Sequence, residues 1–251
     1  MKKQFDWTIW LGVAVGTMAI IGGAWAEDLS LNFLWHPTAA LVVVGGTLGA
    51  VIVRRGISGI VSAVKAVWGL RLKIDSDEGH NMEIAKLAWL SRSVQKNGVK
   101  AYENYADTNG DALIAQGLTL VADRADKERI KETLNRRLDL EDEIGLQESG
   151  TLEAAGGFAP TFGILGAVLG LIGVLRVLDK PEALGVGIAT AFVATIYGLS
   201  LANLLFFPLA ARLRERHEAH MKRREELVLV ILSLVANEMP RAIINQFNLP
   251  K

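Results

Sequence analysis

The apolar stretch GGFAPTFGILGAVLGLIGVL, residues 156–175, combines the hydrophobicity of a membrane helix with a high content of glycine. Glycine in a helix interior is less favourable than alanine by roughly 0.5–1 kcal/mol. Beyond Gly156 and Gly157 at its start, the glycines of the stretch are Gly163, Gly166, Gly170 and Gly173. Their spacing of 3, 4 and 3 residues places them on one helix face, where the lack of side chains permits another helix to approach closely.

The chain contains four apolar runs, and each has about the ~20 residues needed to cross a hydrocarbon core of roughly 30 Å. They cover residues 7–26, 34–53, 158–178 and 186–209. A backbone in lipid must satisfy its hydrogen bonds internally, so each run is predicted to be a helix. The sequence therefore predicts an all-α integral membrane protein with four transmembrane helices and a helical cytoplasmic domain between the second and the third.

The first run also has features of a signal peptide, because Lys2 and Lys3 precede it and Ala24 and Ala26 stand near its end. Its apolar part is longer than the roughly 7–15 residues of a signal-peptide core. A second apolar run follows after a short connection, as in a helical hairpin. A retained membrane helix is the favoured interpretation, and cleavage is the alternative.

Basic residues are distributed unevenly about the four runs. Arg54 and Arg55 follow the second run, and six more Lys and Arg residues lie in 212–224, beyond the fourth. The positive-inside rule then places both termini and the segment between the second and third runs in the cytoplasm. The predicted domains are a transmembrane hairpin at 1–55, a cytoplasmic helical domain at 56–150, transmembrane helices 3 and 4 at 151–211, and a cytoplasmic C-terminal helix at 212–251.

The polar part of the chain has apolar residues at helical spacing. One predicted helix ends at Gly98, and Asp111 is predicted to cap another. A further helix carries an apolar stripe, formed by Ile130, Leu134 and Leu138. The apolar segment 227–236 is too short to cross a membrane, so we expect it to be buried in a helical bundle or against a second copy of the chain.

The composition and motifs argue against enzymatic and nucleic-acid functions. The 27 basic and 27 acidic residues leave no positive surplus for phosphates, and no cysteine is present for a disulfide or a thiolate metal site. No P-loop, dinucleotide fingerprint or nucleophile elbow occurs. His217 and His220 do not have the spacing of a zinc-protease motif, so both are predicted to be solvated. We therefore predict no enzyme, no metal site and no cofactor.

The four apolar runs contain no Asp, Glu or Lys. An ion pathway normally contains an ionisable residue in the membrane, where a charge costs at least ~2.5–3.5 kcal/mol. An ion-conducting carboxylate would therefore have to come from another chain. The fourth run has a small face of its own, formed by Gly187, Ala191, Ala194, Gly198 and Ala202. The two small faces predict either a tight crossing or a smooth wall against a partner helix.

Three parts of the chain resemble the MotA/PomA flagellar stator family, within the MotA/TolQ/ExbB superfamily. Residues 158–213, FAPTFGILGAVLGLIGVLRVLDKPEALGVGIATAFVATIYGLSLANLLFFPLAARL, are similar to the family's third and fourth transmembrane helices. HPTAALVVVGGTLGA, residues 36–50, is similar to its second helix, and GLTLVADRADKE, residues 117–128, to its cytoplasmic loop. Among subgroups the chain most resembles the proton-type proteins called MotC.

The resemblance implies an assembly and an activity. Five copies of the chain would surround two copies of a MotB-like subunit that supplies the membrane Asp. Ion flow, of H⁺ or alternatively Na⁺, would turn the pentamer, whose cytoplasmic domain would push a FliG-like rotor protein. The location would be the bacterial inner membrane, with both termini in the cytoplasm and no nucleic-acid partner.

The resemblance also implies roles for single residues of the membrane helices. Pro160 and Pro208 would form hinges or kinks. Thr195 would face the ion-carrying carboxylate, although the sequence alone predicts that its hydroxyl bonds to its own helix. Ala167 and Ala194 stand where sodium-type members often have threonine, which favours protons. The residues implied to pack against partner helices are Gly163, Gly166, Gly170, Gly173 and Gly198.

The rotor contact would involve charged residues of the cytoplasmic domain. Lys96 and Glu103 match the family's positions, whereas Gln95 stands where the family has arginine, and Arg92 is the predicted substitute. Two other functions remain open. One is an ion-driven energiser of the TolQ/ExbB type, against which the hairpin at 7–53 argues, and the other is a self-contained membrane channel or transporter.

Overall fold

The computed structural model describes residues 7–28, 34–70, 77–176 and 181–247, without the side chains of residues 77, 95–97, 181–183 and 186. The described residues are almost wholly helical, and no strand occurs among them. The helices are α1 (Thr8–Ala26), α2 (Pro37–Ala40), α3 (Gly46–Leu70), α4 (Asp77–Asn97), α5 (Lys100–Thr108), α6 (Ala112–Ala122), α7 (Lys127–Leu175), α8 (Pro181–Ser200), α9 (Phe207–Val235) and α10 (Pro240–Gln246). Two π-helical segments interrupt the series, π1 (Leu41–Gly45) after α2 and π2 (Leu201–Phe206) after α8.

Among the described residues, four helical stretches are long and apolar enough to cross a membrane. These spans, numbered in chain order, lie in Thr8–Ala26, Pro37–Leu70, Lys127–Leu175 and Gly187–Val235. The predicted all-helical fold with four transmembrane helices is thereby confirmed. Helix α7 has 49 residues. A straight helix of that length measures about 74 Å, more than twice the ~30 Å hydrocarbon core, so a large part of it extends beyond the membrane.

The chain divides into two compact units. The first comprises Met1–Leu72 and Gly145–Glu215, and the second comprises Lys73–Ile144 and Arg216–Lys251. Helices α7 and α9 continue through the boundaries predicted after residues 150 and 211. Gly56, with a non-helical φ of 69° and ψ of 174°, kinks α3 directly after the boundary predicted at residue 55. The two compact units divide after residues 72, 144 and 215.

The second unit has a core of large aliphatic side chains. The predicted stripe on α7 lies in this core, since Ile130 and Leu134 are fully buried and Leu138 nearly so. The apolar end of α9 lies there too, and Ile231 and Leu234 are among its buried residues. Burial of such side chains contributes about 1.5–3 kcal/mol each. The prediction that this apolar segment is buried in a helical bundle is confirmed.

The ends of two helices in this unit have the predicted chemistry. Asp111 accepts hydrogen bonds from the backbone N–H groups of Leu113 (2.9 Å) and Ile114 (3.3 Å), and so caps α6. Gly98 follows α4 with a φ of 65°, a left-handed conformation that costs glycine little. The sequence predicted both features.

A buried arginine connects three helices of the second unit. The guanidinium of Arg224 on α9 makes two hydrogen bonds to the carboxylate of Glu141 on α7, of 2.9 and 2.8 Å, and another to Asp111. Burial acts to lower the pKa of Arg224, but its bonds and charge interactions with Glu141 and Asp111 outweigh burial and raise that pKa. Asp111 therefore caps α6 and also ties it to α9.

The prediction that His217 is solvated is wrong. Its Nε2 lies 2.7 Å from Oδ1 of Asp142, and only 12% of its side chain is exposed, so it is not solvated. His220 is exposed, as predicted. The sequence could not reveal the pairing because Asp142 lies on a different helix, 75 positions earlier.

Candidate functional site

The glycine faces of the third and fourth spans lie directly against each other. A Cβ atom added to Gly163 on α7 would lie 2.9 Å from the carbonyl oxygen of Ala194 on α8. One added to Gly170 on α7 would lie 3.0 Å from backbone atoms of α8. A Cβ atom at Gly198 would lie 2.5 Å from the carbonyl oxygen of Ala159. Because these neighbours are backbone atoms, which cannot rotate away, a larger residue would force the helices apart.

This crossing contains most of the residues predicted to contact a partner helix, and it is the tight crossing that the two small faces also predicted. The four that lie in it are Gly163, Gly166, Gly170 and Gly198. A small face suits a helix of the same chain as well as one of another chain, so the sequence could identify the face but not its neighbour. Gly173 differs, since no atom lies within 4 Å of its Cβ position. Its contact with a partner helix stays a prediction.

The residues predicted to line the ion pathway have different surroundings. Ala194 is 0% exposed and lies in a buried cluster with Ala39 and Val43 of the second span. It therefore offers no surface to an ion in the single chain, and its place in the pathway stays a prediction. Thr195 and Ala167 are only half-buried, so their role in a pathway stays a prediction.

The hydroxyl of Thr195 is bonded within its own helix. It donates to the carbonyl oxygen of Ala191 at 3.3 Å, as the sequence alone predicts. A hydroxyl has one donor and two lone pairs, so the lone pairs remain able to accept a hydrogen bond. Thr195 could thus accept from a protonated carboxyl group while its own donor is satisfied.

The two prolines have different settings. Pro160 lies inside the continuous helix α7, and its Cα is 3.1 Å from the Cβ position at Gly198, so it belongs to the crossing. Pro208 lies at the start of α9, directly after π2. Proline lacks an N–H group and crowds the preceding turn, so a change of helical geometry before it is expected. Hinge roles for both residues stay predictions.

A polar cluster joins the start of the second span to the fourth span. The sequence analysis did not predict it. Oγ1 of Thr190 lies 3.3 Å from Nδ1 of His36, and the backbone N–H of His36 donates to the hydroxyl of Tyr197 at 3.3 Å. That hydroxyl donates in turn to the carbonyl oxygen of Leu34. The one signal in the sequence is the seven-residue interval between Thr190 and Tyr197, which places them on one helix face.

The predicted rotor-contact residues lie in the second unit. Arg92 on α4 is exposed, and its guanidinium lies 5.8 Å from the centre of the Trp89 ring. Glu103, in the first turn of α5, is also exposed. The side chain of Lys96 lies outside the described residues. A contact with a rotor stays a prediction for all three.

Among the described residues, no group of three His, Asp or Glu side chains lies close enough to hold a metal ion. Two polar groups of the spans outside the His36 cluster bond to nearby backbone. Thr161 donates to the carbonyl of Phe158 at 2.7 Å, and Asn203 donates to that of Leu199 at 2.9 Å. These groups meet the need for satisfied hydrogen bonds in lipid.

Comparison with known proteins gives consistent results. The profile of the MotA/TolQ/ExbB proton channel family matches residues 106–226. The chain is 29% identical to the chemotaxis protein PomA of Vibrio alginolyticus over 92% of this chain and 88% of that one. It is 27% identical to motility protein A of Bacillus subtilis over 95% and 88%.

Two solved structures have a similar fold. The flagellar MotAB stator complex of Bacillus subtilis matches with a TM-score of 0.84 and 26% identity over 98% of this chain and 96% of that chain. The C. jejuni MotAB structure matches with a TM-score of 0.85, with 22% identity and the same coverage of both chains, and supports the fold alone. By these matches, the chain is similar to proteins of the MotA/TolQ/ExbB proton channel family, whose profile covers residues 106–226.

Proposed function

We propose that the chain is a flagellar stator subunit that, with a MotB-like partner, forms an ion channel and converts ion-motive force into torque on the flagellar rotor. The observation that carries the proposal is the likeness to the flagellar MotAB stator complex of Bacillus subtilis, which extends over 98% of this chain. The absence of Asp, Glu and Lys from the apolar runs supports a partner that supplies the ion-carrying carboxylate.

The proposed assembly has five copies of the chain around two copies of the partner, in a bacterial inner membrane. Both termini lie in the cytoplasm, as the positive-inside rule favours, and the cytoplasmic domain pushes a FliG-like rotor protein. The third span supports this arrangement, because large apolar side chains such as Ile164, Val168 and Ile172 are exposed in the single chain. Such a surface needs lipid or other helices to cover it.

Ion flow supplies enough energy for such a motor. One charge that crosses ~150 mV releases roughly 3.5 kcal/mol, about six times the thermal energy. In the proposed mechanism the chain supplies no acidic group in the membrane, and its third and fourth spans move as one element. The glycine crossing supports this, because backbone atoms in direct contact leave little room for the two helices to slide apart.

We infer that the coupling ion is H⁺. Sodium ions prefer oxygen ligands, and the half-buried Ala167, which is predicted to line the pathway, provides none. The hydroxyl of Thr195 already donates to Ala191, although it retains lone pairs. Swimming speed that depends on external Na⁺ at constant pH would contradict H⁺ coupling, and speed that follows the proton-motive force would support it.

The direct test of the function is deletion of the gene in its host, with filaments counted by microscopy. The proposal predicts cells that keep their filaments but do not swim, and restored swimming when this chain and its MotB-like partner are both supplied. Normal swimming in a host without a second stator set would overturn the flagellar role. An energiser of the TolQ/ExbB type would then be the leading alternative.

A further inference from the structure

An apolar groove with a volume of about 310 Å³ lies between the start of α1 and the end of the fourth span. Its apolar lining is formed by Ile9, Gly12, Val13, Leu204, Pro208 and Leu209. The groove lies within the first compact unit, and both of its walls belong to membrane-spanning stretches. A groove of this composition in a membrane is filled by acyl chains or by another helix, because water gains little there.

The groove exists because α1 contacts the fourth span at Gly16 but not one helical turn earlier, at Gly12. A Cβ atom added to Gly16 would lie 2.5 Å from Cδ2 of Leu204. One turn earlier, on the same face of α1, no atom lies within 4 Å of the Cβ position at Gly12. The two helices therefore separate towards the start of α1.

The groove has a polar end. There the guanidinium of Arg212 donates to the hydroxyl of Thr8 at 2.6 Å, and both residues line the groove. The exposed Trp7 and Trp10 lie beside Thr8, and tryptophan is enriched where a helix meets the membrane surface. From Arg212, the lining extends along the fourth span to Asn203, roughly 13 Å at 1.5 Å per residue.

We propose that this groove binds an anionic glycerophospholipid. The phosphate accepts hydrogen bonds from Arg212 and Thr8, and one acyl chain lies along Gly12, Val13 and Leu204. The groove has a cation and a hydroxyl at the membrane surface and then mostly apolar walls, and this order matches the order of groups in such a lipid. Asn203 is the polar exception, and its amide donates to the backbone carbonyl of Leu199. Arginine suits phosphate because its planar guanidinium can donate two parallel hydrogen bonds.

The proposal is tested on the full-length chain, purified in detergent with any partner that accompanies it. Native mass spectrometry measures binding of palmitoyl-oleoyl phosphatidylglycerol and of the phosphatidylcholine with the same chains. We expect tighter binding of phosphatidylglycerol. Arg212→Gln is expected to weaken it roughly tenfold, as for the loss of one charge-assisted hydrogen bond. Gly12→Leu, which fills the groove, is expected to weaken binding of both lipids.

Two variants are matched controls. Arg54→Gln removes a charge from an exposed arginine that does not line the groove. Gly22→Leu adds the same side chain to α1 at a position that also has no atom within 4 Å, but outside the groove. Neither should change lipid binding. Thr8→Val replaces Arg212→Gln if the latter lowers thermal stability.

Wild-type binding in Arg212→Gln, or in Gly12→Leu, would overturn the proposal. If Gly12→Leu instead changes the number of copies in the assembly without changing lipid binding, the groove takes a second copy of the chain, and the lipid proposal is also wrong. Binding is measured on the purified protein, so a failed swimming test would not affect it.

Discussion

The crossing of the third and fourth spans and the core of the second unit are packed in opposite ways. The crossing is built from glycine and alanine with backbone atoms in contact, whereas the core is built from leucine and isoleucine around a paired arginine. In water, burial of large apolar side chains stabilises the fold. In lipid that driving force is absent, and close approach of small residues replaces it. The same 49-residue helix, α7, takes part in both.

The largest effect is expected in the core of the second unit. Leu134→Ala should destabilise that unit by about 2–5 kcal/mol, because it deletes a fully buried side chain and leaves a cavity. The matched control is Leu140→Ala, since Leu140 is 57% exposed on the same helix. Thermal unfolding of the purified variants measures the difference. Equal unfolding temperatures would contradict the described core.

Removal of the buried charge should have the next largest effect. Arg224→Gln should cost about 1.5–3 kcal/mol, because Glu141 and Asp111 lose charge-assisted hydrogen bonds. The control is Arg136→Gln, which changes an exposed arginine of α7. Unfolding by denaturant gives the free energies. A stability gain in Arg224→Gln would mean that burial of the charge outweighs its pairing.

A single methyl group should disturb the crossing. Gly198→Ala should destabilise the membrane unit by about 1–3 kcal/mol, since its Cβ would lie 2.5 Å from a backbone carbonyl oxygen. Gly173→Ala adds the same group where no atom lies within 4 Å, so it should not destabilise the unit. Thermal unfolding in detergent compares the two. Equal behaviour would show that the two helices do not cross as described.

The smallest effect concerns alkaline pH. Burial, followed by its hydrogen bond to Glu83, raises the pKa of Tyr105 from 10.0 to about 12. Because this pKa is higher in the folded state than in the unfolded state, Tyr105 contributes to the stability of the folded state below pH 10. That contribution is lost as the pH rises towards 12. Between pH 10 and 12, the stability of Tyr105→Phe should therefore fall less steeply with pH than the stability of the wild-type protein. The burial of Tyr102 also raises its pKa, so part of the decline should remain. An unchanged pH profile would contradict the role of Tyr105.

Local features of the fold could be predicted from the sequence because they depend on neighbours in the chain. The cap at Asp111, the turn at Gly98 and the buried face with Leu134 each follow from a pattern within one or two turns. The four spans follow from length and hydropathy. Such features need no knowledge of which helices meet.

Contacts between distant segments could not be predicted in the same way. His217 meets Asp142 and His36 meets Thr190 only because the chain folds back, and no pattern links these positions. The glycine face is visible in the sequence but its neighbour is not, so the sequence leaves open whether Gly166 contacts the fourth span or a partner helix. The burial of Ala194 likewise depends on the second span, which no local pattern identifies.

The central claim is that this chain acts as a stator subunit and that its partner supplies the membrane acid. The most direct test is swimming speed in a strain deleted for both genes, supplied with this chain alone, the partner alone, both, or both with the partner's membrane Asp changed to Asn. The account predicts swimming only with both intact chains, and filaments in every case. Swimming with this chain alone, or with the Asn partner at normal speed, would contradict it.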